Sequence, residues 1–203
     1  PVVAGEALHV AREYLLVFPQ RGGQALQAVL GSERDVNAYV GRPPKEPAWL
    51  GRYVPAHLRR YPFVALTAQA DEEGKQERLT VAIDEDAPQL SREQGERLFT
   101  DAGEPTPVLQ RVQEALKSLH LDFKRTQRLV QQLEDAALLT DKPLQIEPSG
   151  AEPTTLTGFR VVDTQRLNAL GGDELKALHD SGALVLVHAH LVSLTNLEDA
   201  VIA

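Results

Sequence analysis

The sequence predicts an α+β fold, with antiparallel sheet or sheets packed against a long amphipathic helix and shorter C-terminal helices. Three observations lead there. The first hundred residues hold short apolar, β-rich runs separated by Gly- and Pro-bearing turns. Residues 106–137 carry apolar side chains at helical spacing. The C-terminal third is mostly helical in pattern, and few βαβ alternations occur anywhere. At 203 residues, one domain over 1–203 is expected, long enough to bury its own core.

The elements follow in order. Residues 14–18 (YLLVF) form an apolar run stopped by Pro19. Residues 25–30 (ALQAVL) follow Gly22 and Gly23 and end at Gly31, so the two runs predict a hairpin. Val36 to Val40 is expected as a third strand, closed by Gly41, Pro43 and Pro44. Residues 63–69 and 79–83 are β-rich and flank a charged turn at 71–75 (DEEGK), which predicts antiparallel pairing. Thr106 suits a helix cap and Pro107 the first helical position. Val108, Leu109, Val112, Leu116, Leu119, Phe123, Val130 and Leu133 then mark one face of about thirty residues, or ~45 Å of helix. A break near Leu121 and Asp122 would divide it in two. Such a stripe needs a sheet or a second subunit to cover it. Pro143 is the expected stop.

Residues 144–147 and 156–162 read as strands around a loop at 148–153. Asp163 suits the cap of a short helix to Leu170, Asp173 the cap of another to His179, and Gly182 its stop. Residues 183–197 carry β-branched side chains, yet Leu184, Val187, Leu191 and Leu194 fit a helical stripe, and helix is the expectation.

Composition narrows function without naming it. With 21 Lys+Arg against 29 Asp+Glu, the net charge of −8 argues against a general nucleic-acid binder. No cysteine is present, which removes disulfides, thiolate metal sites and Cys nucleophiles. No apolar run approaches the ~18 residues of a membrane span. The chain begins at Pro1 and has no methionine, so it is expected to be a trimmed segment; no signal pattern opens it, and a cytoplasmic location is the default expectation.

Serine-nucleophile, P-loop and Gly-x-Gly-x-x-Gly patterns are missing, and no cofactor is expected. His188 and His190 would face one way on a strand and share a metal, but would diverge by ~200° on a helix. Asp84, Glu85 and Asp86 follow a predicted strand, where carboxylates bind a cation, act as a base or cap a turn. Residues 52–63 (RYVPAHLRRYPF) put three arginines and two tyrosines in an acidic protein. Arginine forks hold carboxylate or phosphate, and tyrosine offers apolar area with a polar tip. The competing reading makes this segment a short helix anchored by its aromatic residues. Residues 95–107 (GERLFTDAGEPTP) read as a tight turn leading into the long helix, or as a ligand loop.

These stretches, with VAIDE at 81–85, GERLF at 95–99, GEPTP at 103–107, the Gly158-Phe159 strand before Asp163, and HLVSL at 190–194, resemble the bacterial SapC family in order and spacing. The resemblance implies a bacterial single-domain protein. The family takes its name from a gene linked to surface-layer protein export, and members resemble proteins encoded beside tryptophan-halogenase-like flavoproteins and TonB-dependent receptors. It carries over no catalytic residues.

The leading expectation is a non-catalytic accessory protein that binds a protein partner or small acidic ligand through Arg52, Tyr53, Arg59, Arg60, Tyr61, Glu85, Arg97 and Glu104. A homodimer through the long helix is a further expectation. Two alternatives stay open: a metal-dependent enzyme using Asp84, Glu85 and a histidine, and a purely structural subunit.

Overall fold

The computed structural model describes residues 1–20, 25–32, 36–41, 48–68, 78–146 and 154–197. The turns expected at Gly22-Gly23, Pro43-Pro44, 71–75 and 148–153 lie outside the described residues. The chain forms an α+β structure of two compact units, residues 1–55 with 123–203, and residues 56–122.

The first unit opens with a 3-10 turn (Ala4–Glu6) running into α1 (Ala7–Val10), a helix that no pattern in the sequence marks. β1 (Leu15–Pro19) and β2 (Gln27–Val29) pair antiparallel, Leu16 opposite Ala28, as the hairpin pattern predicts. Val36 to Val40 is not a strand. The Asn37 side chain accepts the Tyr39 N–H at 2.9 Å, which curls the chain into a turn and leaves one isolated bridge, Val40 to Trp49.

The second unit holds α2 (Ala56–Arg59) and the antiparallel pair β3 (Phe63–Ala68) and β4 (Arg78–Ile83). The long helix α3 (Pro107–Asp135) starts in this unit and runs into the first. It is continuous through Leu121 and Asp122. Its stop is at Asp135 and not at Pro143. Ala137 takes the left-handed conformation (φ 53°), Leu138 N–H reaches back to Leu133 O at 2.9 Å, and Ala137 N–H to Glu134 O at 2.8 Å. That is a Schellman closure with alanine in glycine's usual place, and it brings buried Leu138 beside buried Leu133.

The chain then enters β5 (Leu139–Asp141), which the sequence reading missed, then β6 (Leu144–Ile146), β7 (Thr154–Leu156) and β8 (Phe159–Val162). Residues 156–162 are thus two strands, because Gly158 turns the chain at φ 92°. β6 pairs with β7, while the main sheet has the antiparallel order β2-β1-β8-β5.

α4 (Thr164–Asn168) is capped by Asp163, whose carboxylate accepts from Gln165 and Arg166 N–H. α5 (Gly172–Ser181) is capped at Gly171 and not Asp173, and Gly182 ends it at φ 88°. Glu174 takes the Gly171 N–H at 3.0 Å, which holds its carboxyl below the usual range. α6 (Ala183–Ser193) is the expected helix, with a 3-10 tail to Leu197. Among the described residues no single helix is long and apolar enough to cross a membrane.

All five residues of β1 are buried. One edge of β1 meets β2, but the other meets β8 only at Phe18 and Pro19. Farther along, α6 supplies the missing partners. Ser193 Oγ accepts Leu16 N–H at 2.9 Å, His190 Nδ1 lies 2.7 Å from Leu16 O, and Val162 N–H points at His190 Nε2 at 3.2 Å. A carbonyl only accepts and an amide N–H only donates, so His190 is neutral with its proton on Nδ1. Burial pushes its pKa down, in keeping with that state.

Candidate functional site

Most of the residues singled out by sequence fall in the second unit, where β3 and β4 bring the end of the 52–63 segment and the Asp84–Asp86 segment together. Register places Phe63 opposite Ile83, and Asp84 N–H continues the pairing to Pro62 O at 3.0 Å. The segment entering β3 and the segment leaving β4 therefore meet at one end of the hairpin. Tyr61 Oη donates to Asp84 Oδ2 at 2.8 Å, and Asp84 Oδ1 accepts Asp86 N–H at 3.2 Å, an Asx turn. The neighbouring carboxylate raises the Tyr61 phenol pKa. The Tyr61-Pro62 bond is cis.

Arg59, Arg60, Tyr61 and Glu85 thus share this end. Arg60 Nε donates to His57 O at 3.2 Å. Burial first, then the Arg60 charge, pushes the His57 pKa down to about 4, so the ring is neutral near pH 7 and the positive charge belongs to the arginines. Arg59 and Glu85 are exposed, and the Tyr61 ring is 47% exposed despite its hydrogen bond.

Arg97 and Glu104 sit in residues 95–107, which form the expected tight turn. Thr100 N–H bonds to Glu104 O at 2.8 Å, Gly103 adopts φ 80°, and Phe99 bridges Pro105. Thr106 Oγ1 donates to Arg97 O at 2.7 Å, while its own carbonyl accepts the Gln110 N–H that starts α3. Arg97 pairs with Asp101 at 2.7 Å on the surface. Phe99, at the base of this turn opposite Pro105, is 52% exposed, a feature its apolar character would not foretell.

Arg52 and Tyr53 lie in the first unit, and Tyr53 has several internal partners. Its hydroxyl donates to Glu6 Oε2 at 2.8 Å, its ring stacks on His9 at 5.7 Å, and its carbonyl accepts from Trp49 Nε1 at 3.1 Å and from the Tyr14 hydroxyl. Glu13 Oε2 accepts the backbone N–H of both Arg52 and Tyr53. Gly51 is required there: a Cβ would stand 2.2 Å from Tyr14 Oη and 2.9 Å from Trp49 Nε1. Tyr39, stacked on Trp49 at 5.9 Å, donates to Glu13 O, and burial pushes its phenol up to about 12. The Arg52 side chain is exposed.

His188 and His190 are on a helix and diverge, one exposed and the other buried. Among the described residues no three His, Cys, Asp or Glu side chains gather as a metal-ligand group. The carboxylate oxygens of Asp84 accept from Tyr61 and Asp86 as described above.

The SapC family model matches residues 1–199, passing through both units and every motif above. The chain belongs to the SapC family. No curated protein and no solved structure matches it. In this SapC chain the HLVSL motif does structural work: His190 and Ser193 are the groups that fill the gap between β1 and β8. The 52–63 motif is divided between roles, Tyr53 anchoring its own unit and Tyr61 standing at the surface.

Proposed function

We propose that this SapC-family chain is a non-catalytic accessory protein that holds a protein partner through its second unit. Arg59, Arg60 and Tyr61 at the hairpin end, with Glu85 beside them, form one part of the surface. Arg97, Phe99 and Glu104 form the other. The observation that carries the reading is the distribution of apolar burial. Among the described residues, the hydrophobic core cluster contains none from 56–122, while that unit exposes Leu58, Tyr61 and Phe99. Exposed aromatic side chains interspersed with arginine are the composition of protein-binding hot spots. Tyrosine and phenylalanine would enter an apolar pocket, and the arginine forks would meet carboxylates at its rim. Arg52, in the first unit, adds a separate exposed guanidinium.

The test is affinity capture from the source cells using the full chain, with captured proteins identified by mass spectrometry. A partner held by the wild type should be lost from a Tyr61→Ser/Phe99→Ser variant and from Arg59→Ala/Arg60→Ala, and kept by Arg128→Ala. Circular dichroism and the thermal midpoint establish that each variant is folded. Undiminished capture by folded variants of both kinds would remove the proposal.

A further inference from the structure

Among the described residues the β3–β4 pair is a two-stranded sheet, and its strands carry little charge and no proline. Two strands alone are marginal in water; a third strand or a covering layer is the usual remedy. Edges are commonly protected by charge or proline, yet β3 reads FVALTA and β4 carries only Arg78, at its start.

Antiparallel pairing alternates, which tells which backbone groups face outward. Asp84 N–H bonds to Pro62 O, so Val64 and Leu66 exchange their bonds with Ala82 and Thr80. Ala65 and Thr67 then turn both N–H and C=O away from β4. Leu79 and Val81 do the same on the opposite edge. None of these outward groups appears in a backbone bond beyond the hairpin among the described residues. Leu66, between Ala65 and Thr67, is 52% exposed.

We infer that β3 is a self-pairing edge and that its occupant is β3 of a second copy. Two antiparallel β3 strands about a two-fold axis at Leu66 set Ala65 opposite the partner's Thr67, and Thr67 opposite the partner's Ala65. Every outward N–H and C=O of those two residues is then satisfied, giving four backbone bonds. In that register Leu66 falls opposite the partner's Leu66 in a non-hydrogen-bonded pair, the arrangement in which side chains approach most closely. The exposed leucine is covered by its own copy. No charged residue lies in β3, so no like charges meet at the axis. The result is a four-stranded sheet. The β4 edge fits a copy less well, since the equivalent axis passes through exposed Thr80 and covers no large apolar side chain. The inference uses the backbone of β3 and Leu66, not the Arg59–Tyr61 end, and stands or falls separately from the partner proposal.

The absence of native cysteine makes the test direct. Opposed Cα atoms in a non-hydrogen-bonded pair lie ~4.5 Å apart, within disulfide range. Full-chain Leu66→Cys under mild oxidation should give a covalent dimer, and Thr80→Cys should not. Sedimentation equilibrium of the wild type should show dimer in the micromolar range. Leu66→Lys should weaken association at least ~100-fold, a difference of ~2.7 kcal/mol. Thr67→Pro, which removes an outward N–H and no bond to β4, should do likewise, while Thr80→Lys should leave the dimer intact. Should Leu66→Lys or Thr67→Pro fail to fold, the cysteine pair still decides. A monomeric wild type, a Leu66→Cys chain that stays monomeric, or a folded Leu66→Lys chain that still dimerises would each overturn the inference.

Discussion

The two units manage the same problem in opposite ways. In residues 1–55 and 123–203, an apolar interior is closed around a sheet, and even the polar side chains buried there have fitted partners. Thr126 Oγ1 accepts Ala4 N–H at 2.7 Å, Glu6 takes the Tyr53 hydroxyl, and His190 and Ser193 complete a gap in the ladder. Among the described residues of 56–122, Ala87, Leu109 and Leu116 are the buried hydrophobics, whereas Tyr61, Leu66 and Phe99 are among the exposed ones. Both units expose large apolar side chains, Leu8, Leu50 and Val192 among those of the first, but among the described residues the core cluster lies wholly in the first unit. A buried polar group is therefore a structural signal in this chain, while the exposed aromatic groups are those on which the proposed partner surface rests.

Four substitutions or conditions probe that contrast, the largest effect first. His190→Ala removes a side chain that satisfies Leu16 O and Val162 N–H at once and leaves a cavity, so it should cost about 3–5 kcal/mol in urea unfolding. A loss under ~1 kcal/mol would mean that the gap between β1 and β8 does not depend on it.

Gly51→Ala comes next. The added Cβ meets Tyr14 Oη and Trp49 Nε1, and the segment held by Glu13 must move, for a loss of about 1–3 kcal/mol by thermal unfolding. Ala137→Gly works the other way. The left-handed φ of 53° strains alanine but not glycine, so the variant should gain about 0.5–1 kcal/mol.

The smallest effect belongs to the second unit. His57 titrates near 4 when folded and near 6.5 when unfolded. Above that window both states are neutral. As pH falls through it, the unfolded chain takes up the proton first, so stability is lost on acidification and the loss levels off below about 4. Because the ring is partly exposed, solvent screening keeps this to about 1 kcal/mol or less. Unfolding measured at two pH values within and above the window should show a smaller drop for His57→Gln than for wild type.

The sequence displayed the local parts of this fold well. Apolar runs bounded by Gly and Pro marked β1, β2, β3 and β4, and the stripe after Pro107 marked α3, because these signals are carried by neighbours in the chain. What it concealed were the long-range pairings. β5 is only three residues long, and its place beside β8 follows from where α3 stops, which turns on one left-handed alanine. Asn37 likewise overrode a β-like run through a side-chain bond to Tyr39. Of the candidate site, the meeting of Tyr61 with the Asp84 turn was implicit in hairpin register, since residues flanking paired strands must converge. The inward role of Tyr53 was not, because its partners Glu6 and Glu13 lie forty or more residues away and nothing in the local pattern distinguishes Tyr53 from Tyr61.

Native-state hydrogen exchange on the full chain at low concentration tests the division between the units most directly. Amides of β1, β8 and α6 should open only with global unfolding, while those of β4 and of residues 100–106 exchange at least ~100-fold faster. Equal protection in the two units would contradict the account, for it would mean that the second unit is as firmly closed as the first.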